Sequence, residues 1–187
     1  VNNAGNSFGG TVAFASGGTL ANAIVTDTTA LDLQALTITG NLTVTAAGAI
    51  TDSGALAITG TATFAAGAGN DITLDTAGNN FSTVVISSGN DVTLVDTNAI
   101  ALGASTVSGD LAVTAGGAVT QSGALAVTGT TTVSAVGSNV TLNNAANDFT
   151  GAVGVTGASK EIRVGDDVVV RHDDEVRAVG IARMNAR

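Results

Sequence analysis

Apolar and small residues alternate in short runs along most of the chain. Typical runs are LTVT at 42–45, LAIT at 56–59, ITL at 72–74, VTL at 92–94 and LAVT at 111–114. Period-two alternation rich in β-branched residues is typical of strands with one buried face, and each run is short, at about three to five positions. Clusters of Gly, Asn, Asp and Ser separate the runs, and these residues favour turns. The pattern predicts an all-β protein of many short strands.

One stretch of this alternating sequence occurs twice in the chain. The stretch 40–66 reappears at 109–135, with 18 of the 27 positions identical. The predicted strands group in threes: 36–38, 42–44 and 50–52; then 56–58, 62–64 and 72–74; then 84–86, 92–94 and 100–102, after which the series restarts at 106. One 69-residue unit is therefore expected to form three coils of unequal length.

Short strands in a repeating unit are typical of a solenoid, in which each coil buries its apolar edge against the next. The turns lack two-residue hairpin signals such as Asn-Gly, which favours parallel stacking over antiparallel hairpins. We predict a right-handed parallel β-helix of about seven coils with three short strands per coil. At about 4.8 Å per stacked strand, the rod is roughly 30 Å long.

Composition indicates a narrow interior. The apolar residues are mostly Ala, Val, Leu and Ile, with five Phe, one Met and no Trp or Tyr, and there are 25 Gly and no Pro. Large aromatic side chains, which fill most compact cores, are scarce. The alternation predicts that eight aliphatic side chains of the repeated phrase point inward while the Thr and Ala between them face solvent: Leu42, Val44, Leu56, Ile58, Leu111, Val113, Leu125 and Val127.

Charge is unevenly distributed. The net charge is -9, yet the stretch 1–159 contains nine Asp and no Lys, Arg, His or Glu. A basic surface for phosphate groups is absent from this part, so we expect no binding to nucleic acid. The chain has no Cys and no apolar run long enough for a hydrophobic membrane helix, and the lack of Cys excludes disulfides. Because it opens at Val1 within a repeat, we expect the natural N-terminus and any export signal to lie upstream.

The phrases GGAVTQSGALAVTGTTTV, NVTLNNAANDFTGAV and VTLVDTNAIALGASTVSGDLAVTAGG resemble repeats of very large bacterial exported proteins, the filamentous-haemagglutinin-like and autotransporter adhesins. The resemblance covers about residues 1–165. It implies a right-handed parallel β-helix, export across the outer membrane of a Gram-negative cell with an outer-membrane export partner, and an extracellular or cell-surface location. It also implies that the full-length protein meets host or neighbouring-cell surfaces or their glycans. No catalytic residue is carried over, because the resemblance concerns stalk repeats.

Aspartates are the main candidates for a metal site. GAGNDITL at 67–74 resembles one unit of a calcium-binding nonapeptide, and SGNDVTL at 88–94 is similar. Calcium needs carboxylates from adjacent units to converge on one ion. Five aspartates recur at near-regular intervals but are expected to be out of phase, because the loops differ in length: Asp32, Asp52, Asp71, Asp91 and Asp110. We therefore predict no metal site and no cofactor.

An enzyme is also disfavoured. Polysaccharide lyases and hydrolases need paired carboxylates with a cationic or metal partner and an aromatic platform for the sugar. The stretch 1–159 has no Lys, Arg, His, Glu, Trp or Tyr. We predict no catalytic residue.

Other polar and aromatic residues are interpreted structurally. We expect Asn79, Asn80, Asn143, Asn144 and Asn147 to form amide ladders between coils, and Phe8, Phe81 and Phe149 to fill wide coils or cover loops. Outward Thr would suit a flat ice-binding face only if it recurred at one site of nearly every coil. Coils of unequal length make that registry unexpected.

The chain divides into a repeat segment, 1–170, and a charged tail without the repeat phrase, 171–187. We expect the lone His172 in this tail to be solvated. The stretch 173–187 fits a short amphipathic helix with Val176, Val179 and Met184 on one side, capping the solenoid. A disordered or artificial end is the alternative, and both interpretations stay open.

The function predicted from the sequence is a structural or adhesive stalk segment of a large exported bacterial surface protein, with no chemistry of its own. The alternative is a calcium-stabilised or carbohydrate-active β-helix.

Overall fold

The chain forms a parallel β-solenoid. The computed structural model describes residues 1–14, 20–157, 162–164, 168–170 and 176–178. Strands are the only regular elements in these ranges, and none of the described residues forms a helix that could cross a membrane. The all-β prediction is confirmed.

The strands are short except where two run together around a corner. Their bounds are β1 Ala23–Asp27, β2 Leu31–Leu33, β3 Leu36–Ile38, β4 Leu42–Ala46, β5 Ile50–Asp52, β6 Leu56–Ala65, β7 Ile72–Leu74, β8 Asn80–Ser88, β9 Val92–Asp96, β10 Ile100–Leu102, β11 Ser105–Val107, β12 Leu111–Ala115, β13 Val119–Gln121, β14 Leu125–Val127, β15 Thr131–Ala135, β16 Val140–Leu142, β17 Asp148–Phe149, β18 Val153–Thr156, β19 Ile162–Val164, β20 Val168–Val170 and β21 Val176–Ala178.

Three faces follow one another around each coil. Face 1 consists of β2, β5, β7, β9, β12, β15 and β18, paired in parallel in that order. Face 2 consists of β3, the first part of β6, the first part of β8, β10, β13, β16 and β19. Face 3 consists of β1, β4, the remainder of β6 and β8, β11, β14 and β17. Strands β6 and β8 cross the corner between faces 2 and 3 without interruption. The two ladders meet in β8, where Thr83 and Val84 pair with Thr61 and Ala62 of β6 on one side and with Ala101 and Leu102 of β10 on the other.

The face 1 ladder shows how many coils the chain forms. Its first residues stack directly on one another: Leu31, Ile50, Ile72, Val92, Leu111, Thr131 and Val153. Val12 pairs below with Leu33, which adds a further level. About seven coils with three strands each result, and these predictions are confirmed.

The sequence repeat and the coil have different periods. Three coils on face 1 run from Leu31 to Val92, which is shorter than the repeat distance from Leu42 to Leu111. The extra length adds one strand, because β8 begins on face 2 at Asn80, where no strand was predicted. The prediction of three coils per unit is therefore wrong. A unit contains ten strand positions, or three and one-third coils.

Equivalent residues of the two copies consequently lie on different faces. Leu42 belongs to β4 on face 3, while its counterpart Leu111 belongs to β12 on face 1. Likewise Ile50 lies on face 1 and Val119 on face 2. Each copy of the sequence is rotated by one face relative to the copy before it.

The core is a continuous column of aliphatic side chains. All eight side chains predicted to point inward are at most 3% exposed. The residues between them, such as Thr43 and Ala126, are half-buried or exposed. Phe64 and Phe81 are the largest buried side chains in the described residues, and their rings meet edge to face at 6.4 Å between centroids.

Glycine allows the coils to stack closely at the corners. A Cβ on Gly40 would overlap the carbonyl oxygen of Ala21 one coil below. In the second copy a Cβ on Gly109 would overlap the side chain of Asp91. The close approach at both corners explains why Gly precedes the polar residue in GN and GD of the repeated phrase.

The ladder changes direction at its C-terminal end. Strand β20 pairs antiparallel with β19, and β21 pairs antiparallel with β18. Val176 therefore lies in a strand, which contradicts a helix at 176–178. The other positions of the suggested helix, Val179 and Met184, and His172 lie outside the described residues.

Candidate functional site

Three aspartates form a column at the corner between faces 3 and 1. Asp91 donates its backbone N–H to Asp71 Oδ1 at 3.2 Å, and Asp110 donates to Asp91 Oδ1 at 2.9 Å. Thr130 donates in turn to Asp110 Oδ1 at 2.7 Å. The prediction that these carboxylates are out of phase is therefore wrong. The extra residues of each coil leave the ladder as loops before the corner, so the residues after them return to register.

The column binds coils to one another through charge-assisted hydrogen bonds. All three carboxylates are exposed, and each one uses an oxygen to accept a backbone N–H of the next coil. A hydrogen bond from Asn90 Nδ2, at 2.9 Å, and the Asp91 N–H hold the pKa of Asp71 below its ordinary value, against a smaller effect of burial. Among the described residues no group of three or more His, Cys, Asp or Glu side chains is arranged to hold a metal ion.

The first copy builds the same kind of column without charge, at the corner between faces 2 and 3. Asn41 donates its N–H to Asn22 Oδ1 at 2.8 Å, and Thr61 donates to Asn41 Oδ1 at 2.9 Å. Asn22 and Asn41 are the counterparts of Asp91 and Asp110 one repeat earlier. Amide and carboxylate oxygens thus perform the same structural task, which is to satisfy a backbone N–H at the corner.

The other two aspartates of the predicted series lie elsewhere. Asp32 is on the outer side of face 1 and accepts hydrogen bonds from the hydroxyls of Thr51 and Ser53, at 3.1 and 2.6 Å. Asp52 is buried and accepts from Asn79 Nδ2 at 2.6 Å. For these two residues, separation from the column was predicted correctly.

Asn79 joins Asp52 to the backbone. Its Oδ1 accepts the N–H of Leu56 at 2.8 Å, while its Nδ2 donates to Asp52. Asn79 is fully buried, so this carboxylate–amide pair satisfies polar groups that would otherwise be costly in the core. We call Asp52 and Asn79 the acidic clasp.

The second copy replaces the acidic clasp with two amides. Asn147 Nδ2 donates to Gln121 Oε1 at 3.0 Å, and Gln121 Nε2 donates to Asn147 Oδ1 at 2.8 Å. Asn147 Oδ1 also accepts the N–H of Leu125 at 2.9 Å, as Asn79 does for Leu56. We call Gln121 and Asn147 the amide clasp; it is half-buried. Asn147 thus pairs with an amide of the neighbouring coil, as expected, whereas Asn79 also joins two coils but pairs with a carboxylate.

Two buried carboxylates were not predicted. Asp27 and Asp96, which are equivalent in the two copies, are both 3% exposed. Asp27 accepts the backbone N–H of Phe8 at 3.1 Å, and Asp96 accepts that of Phe81 at 2.6 Å. The sequence contains a signal for both: Val25 and Asp27, like Leu94 and Asp96, share the inward parity of one strand.

The two carboxylates differ in acidity. Burial raises the pKa of Asp27, but hydrogen bonds from Thr29, Phe8 and Thr28 together leave it below its ordinary value. Burial raises the pKa of Asp96 above its ordinary value, and the N–H groups of Phe81 and Asn98 offset only part of that effect.

The aromatic residues act as fillers. Phe81 is fully buried, whereas Phe8 and Phe149 are half-buried and pack against the core. Each ends a loop phrase, AGNNF, AGNSF or AANDF. The structural interpretation of these residues is confirmed.

Threonine recurs in register on the outer side of face 1. Thr51, Thr73 and Thr93 stack directly, followed by Ala112 and then Thr132. The face 1 strands keep their pairing while the loops absorb the length differences, so the coils are in register here although they differ in length. Thr nevertheless holds four of the seven stacked positions, and Asp32, Ala112 and Gly154 hold the others. We call Thr51, Thr73, Thr93, Ala112 and Thr132 the threonine column.

The comparisons with known proteins agree with a repeat architecture. Residues 20–88 and 89–156 each match a family described as repeats of unknown function (DUF5649). No curated protein and no solved structure matches the chain. Together the two matched segments cover well over half of the chain. The chain therefore belongs to the DUF5649 family of repeats of unknown function.

Proposed function

We propose that this chain is a structural or adhesive stalk segment of a large exported surface protein of a Gram-negative bacterium. The observation that carries the proposal is the parallel ladder, which runs through the junction between the two copies at Ser88 and Gly89 without a break on face 1. A solenoid of this kind lengthens by adding copies, because each coil needs only its neighbours.

The polar groups of the coils support a passive role. The carboxylates and amides described above bond to the backbone or side chains of adjacent coils rather than converging on a common point. Among the described residues, Thr131 Oγ1 is the one buried side-chain polar atom without a hydrogen-bond partner. Rigid coupling between coils is what a stalk requires.

Length measurements test the stalk. Each copy contributes three and one-third coils, or about 16 Å at about 4.8 Å per coil. We expect small-angle scattering from chains with two, four and six copies to give a maximum dimension that rises by about 16 Å per copy. A dimension that grows with the cube root of length would contradict the proposal, since it indicates a globule.

Antibody labelling of intact cells tests the location. Antibodies against the chain should label intact cells of the bacterium that encodes it, and protease added outside should remove the signal. Labelling that appears only after lysis would contradict export.

A calcium-stabilised solenoid is the second candidate, and the column of Asp71, Asp91 and Asp110 is the observation that favours it. A ligand that binds only the folded state raises the melting temperature with concentration. We expect no rise in millimolar calcium, because no three carboxylates converge on one point in the part of the chain that the structure describes. A rise of many degrees that disappears in Asp91→Asn would favour calcium instead.

A further inference from the structure

A cleft of about 490 Å³ lies at the N-terminal end of face 1. One wall is the segment 7–11, and the other is the outer side of face 1 around Asp32, Ala49 and Thr51. Its volume lies within the range of small-molecule sites in proteins. None of the coil-to-coil columns described above fills it.

The cleft combines an aromatic ring, a carboxylate and hydroxyls. Phe8 lines it and is half-buried. The N–H of Phe8 donates to Asp27 in the next coil at 3.1 Å, which fixes this residue relative to face 1. We propose that this cleft binds a neutral oligosaccharide, with Phe8 against one face of a sugar ring and Asp32 accepting hydrogen bonds from its hydroxyls.

Asp32 has unused accepting capacity. Its Oδ1 accepts from Thr51 Oγ1 at 3.1 Å and its Oδ2 from Ser53 Oγ at 2.6 Å. A carboxylate offers about four lone-pair sites, so about two remain for a ligand. Because the Thr51 hydroxyl donates to Asp32, its oxygen is oriented to accept. The pair therefore suits a ligand rich in hydroxyl donors.

The charges around the cleft favour a neutral ligand. The stretch 1–159 contains no Lys, Arg or His to pair with a carboxylate or sulfate group. An anionic sugar next to Asp32 would be repelled by its carboxylate, and the repulsion grows as water is excluded from the pair. Sugars bearing only hydroxyl groups avoid this cost.

The threonine column extends the cleft. Thr51 lines the cleft and is followed on successive coils by Thr73 and Thr93. Their side chains repeat at the strand spacing of about 4.8 Å. The exposed Asp71, Asp75 and Asp91 lie two residues from these threonines along the chain. A longer oligosaccharide therefore meets further hydroxyls beyond the cleft, and affinity is expected to rise with chain length.

Titration of the purified chain with defined sugars tests the proposal. The probes are cellohexaose, maltohexaose and mannohexaose, their disaccharides, and hexagalacturonate as the anionic control, followed by calorimetry and saturation-transfer NMR. We expect at least one neutral hexaose to bind more tightly than its disaccharide, without cleavage, and hexagalacturonate to show no binding.

Three variants assign the site. Asp32→Asn is expected to weaken binding by about tenfold or more, since a hydrogen bond to a charged group is lost. Phe8→Leu keeps an apolar side chain against the core but removes the ring, and is expected to remove the saturation-transfer signal. Asp110→Asn is the control, because Asn41 fills the equivalent position in the first copy, and it is expected to bind like the parent.

Binding of none of the neutral hexaoses at millimolar concentration would overturn the proposal, as would equal affinity in Asp32→Asn or a preference for hexagalacturonate. The stalk role does not depend on the cleft. Scattering on the same samples separates the two, because a rod that binds no sugar contradicts only this inference.

Discussion

The two copies of the repeat use the same ladder but different side chains at equivalent places. The first copy, 20–88, has the acidic clasp, an Asn column and a fully buried Phe81. The second, 89–156, has the amide clasp, a half-buried Phe149 and two of the three residues of the Asp column, Asp91 and Asp110. Both copies keep a side-chain oxygen that accepts an equivalent backbone N–H, that of Leu56 in the first copy and that of Leu125 in the second. The fold thus constrains hydrogen-bonding geometry more tightly than it constrains charge.

Burial separates the copies further. Asn79 is fully buried, while Asn147 is half-buried. Phe64 pairs with Phe81 in the first copy, whereas Val133 occupies the position equivalent to Phe64 in the second. The first copy therefore holds the larger inward side chains, and its polar clasp is the more sensitive to disruption.

The largest expected effect is common to both copies. Val44→Asp and Val113→Asp each bury an unpaired carboxylate in the column of inward side chains, and we expect each to lower the free energy of unfolding by at least about 3 kcal/mol. Urea denaturation followed by circular dichroism measures the loss. Thr114→Asp, on the exposed side of the same strand, is the control and should cost less than about 1 kcal/mol. Parent-like stability of Val113→Asp would show that the inward register is wrong.

The next effect distinguishes the copies. Asn79→Ala leaves the buried Asp52 Oδ2 and the Leu56 N–H without their partner, while Asp52 Oδ1 keeps its hydrogen bond from the Asp75 N–H, and we expect a loss of about 3 kcal/mol. In Asn147→Ala the former partners of Asn147 are partly exposed to water, so we expect a smaller loss, of about 1 kcal/mol. Thermal unfolding of both variants measures the two losses in the free energy of unfolding. Equal losses would mean that burial does not distinguish the two clasps.

The alternating pattern was sufficient to predict the strands and the inward side chains, since period-two alternation reports directly on which side is buried. The strand at Asn80 was missed because a turn-forming phrase, TAGNN, runs into it, and the phase of the whole repeat depends on that one strand. A single uncounted strand rotates every later residue by one face.

The aspartate column was mispredicted for a related reason. Loop residues such as Gly67, whose φ is 87°, were counted as part of the coil although they leave the ladder. Sequence spacing therefore differs from spacing along a face. The alternating pattern also does not predict the cleft lined by Phe8 and Asp32. This cleft forms where the segment 7–11 departs from the strand path beside face 1.

A smaller effect concerns a buried hydroxyl in the second copy. Thr131 occupies the inward position that Ala62 holds in the first copy, and its Oγ1 has no partner. Thr131→Val keeps the shape and removes the unsatisfied group, so we expect a gain of about 1 kcal/mol in the free energy of unfolding. The reciprocal change Ala62→Thr should cost about 1 to 3 kcal/mol through overpacking. Destabilisation by Thr131→Val would indicate that the hydroxyl has a bonding partner.

The smallest effect is a difference in pH dependence between the equivalent carboxylates Asp27 and Asp96. The pKa of Asp27 lies below its ordinary value of 3.8, so its contribution to stability is present above that value and is lost as the pH falls through the folded-state pKa. The pKa of Asp96 lies above 3.8, so the folded state holds this proton more tightly. Its contribution is present below 3.8 and is lost as the pH rises through the folded-state pKa.

Variants separate these two opposing dependences of stability on pH, which partly cancel in the parent protein. Relative to the parent, Asp96→Asn should gain stability as the pH rises above 3.8, whereas Asp27→Asn should lose it as the pH rises across the range below 3.8. Carboxyl-carbon NMR gives both titrations directly. Asn98→Thr sharpens the comparison, because the Thr29 hydroxyl donates to Asp27 at 3.0 Å and a hydroxyl placed at 98 would do the same for Asp96. We expect the pKa of Asp96 to fall in this variant; an unchanged pKa would mean that a hydroxyl at position 98 does not bond to Asp96.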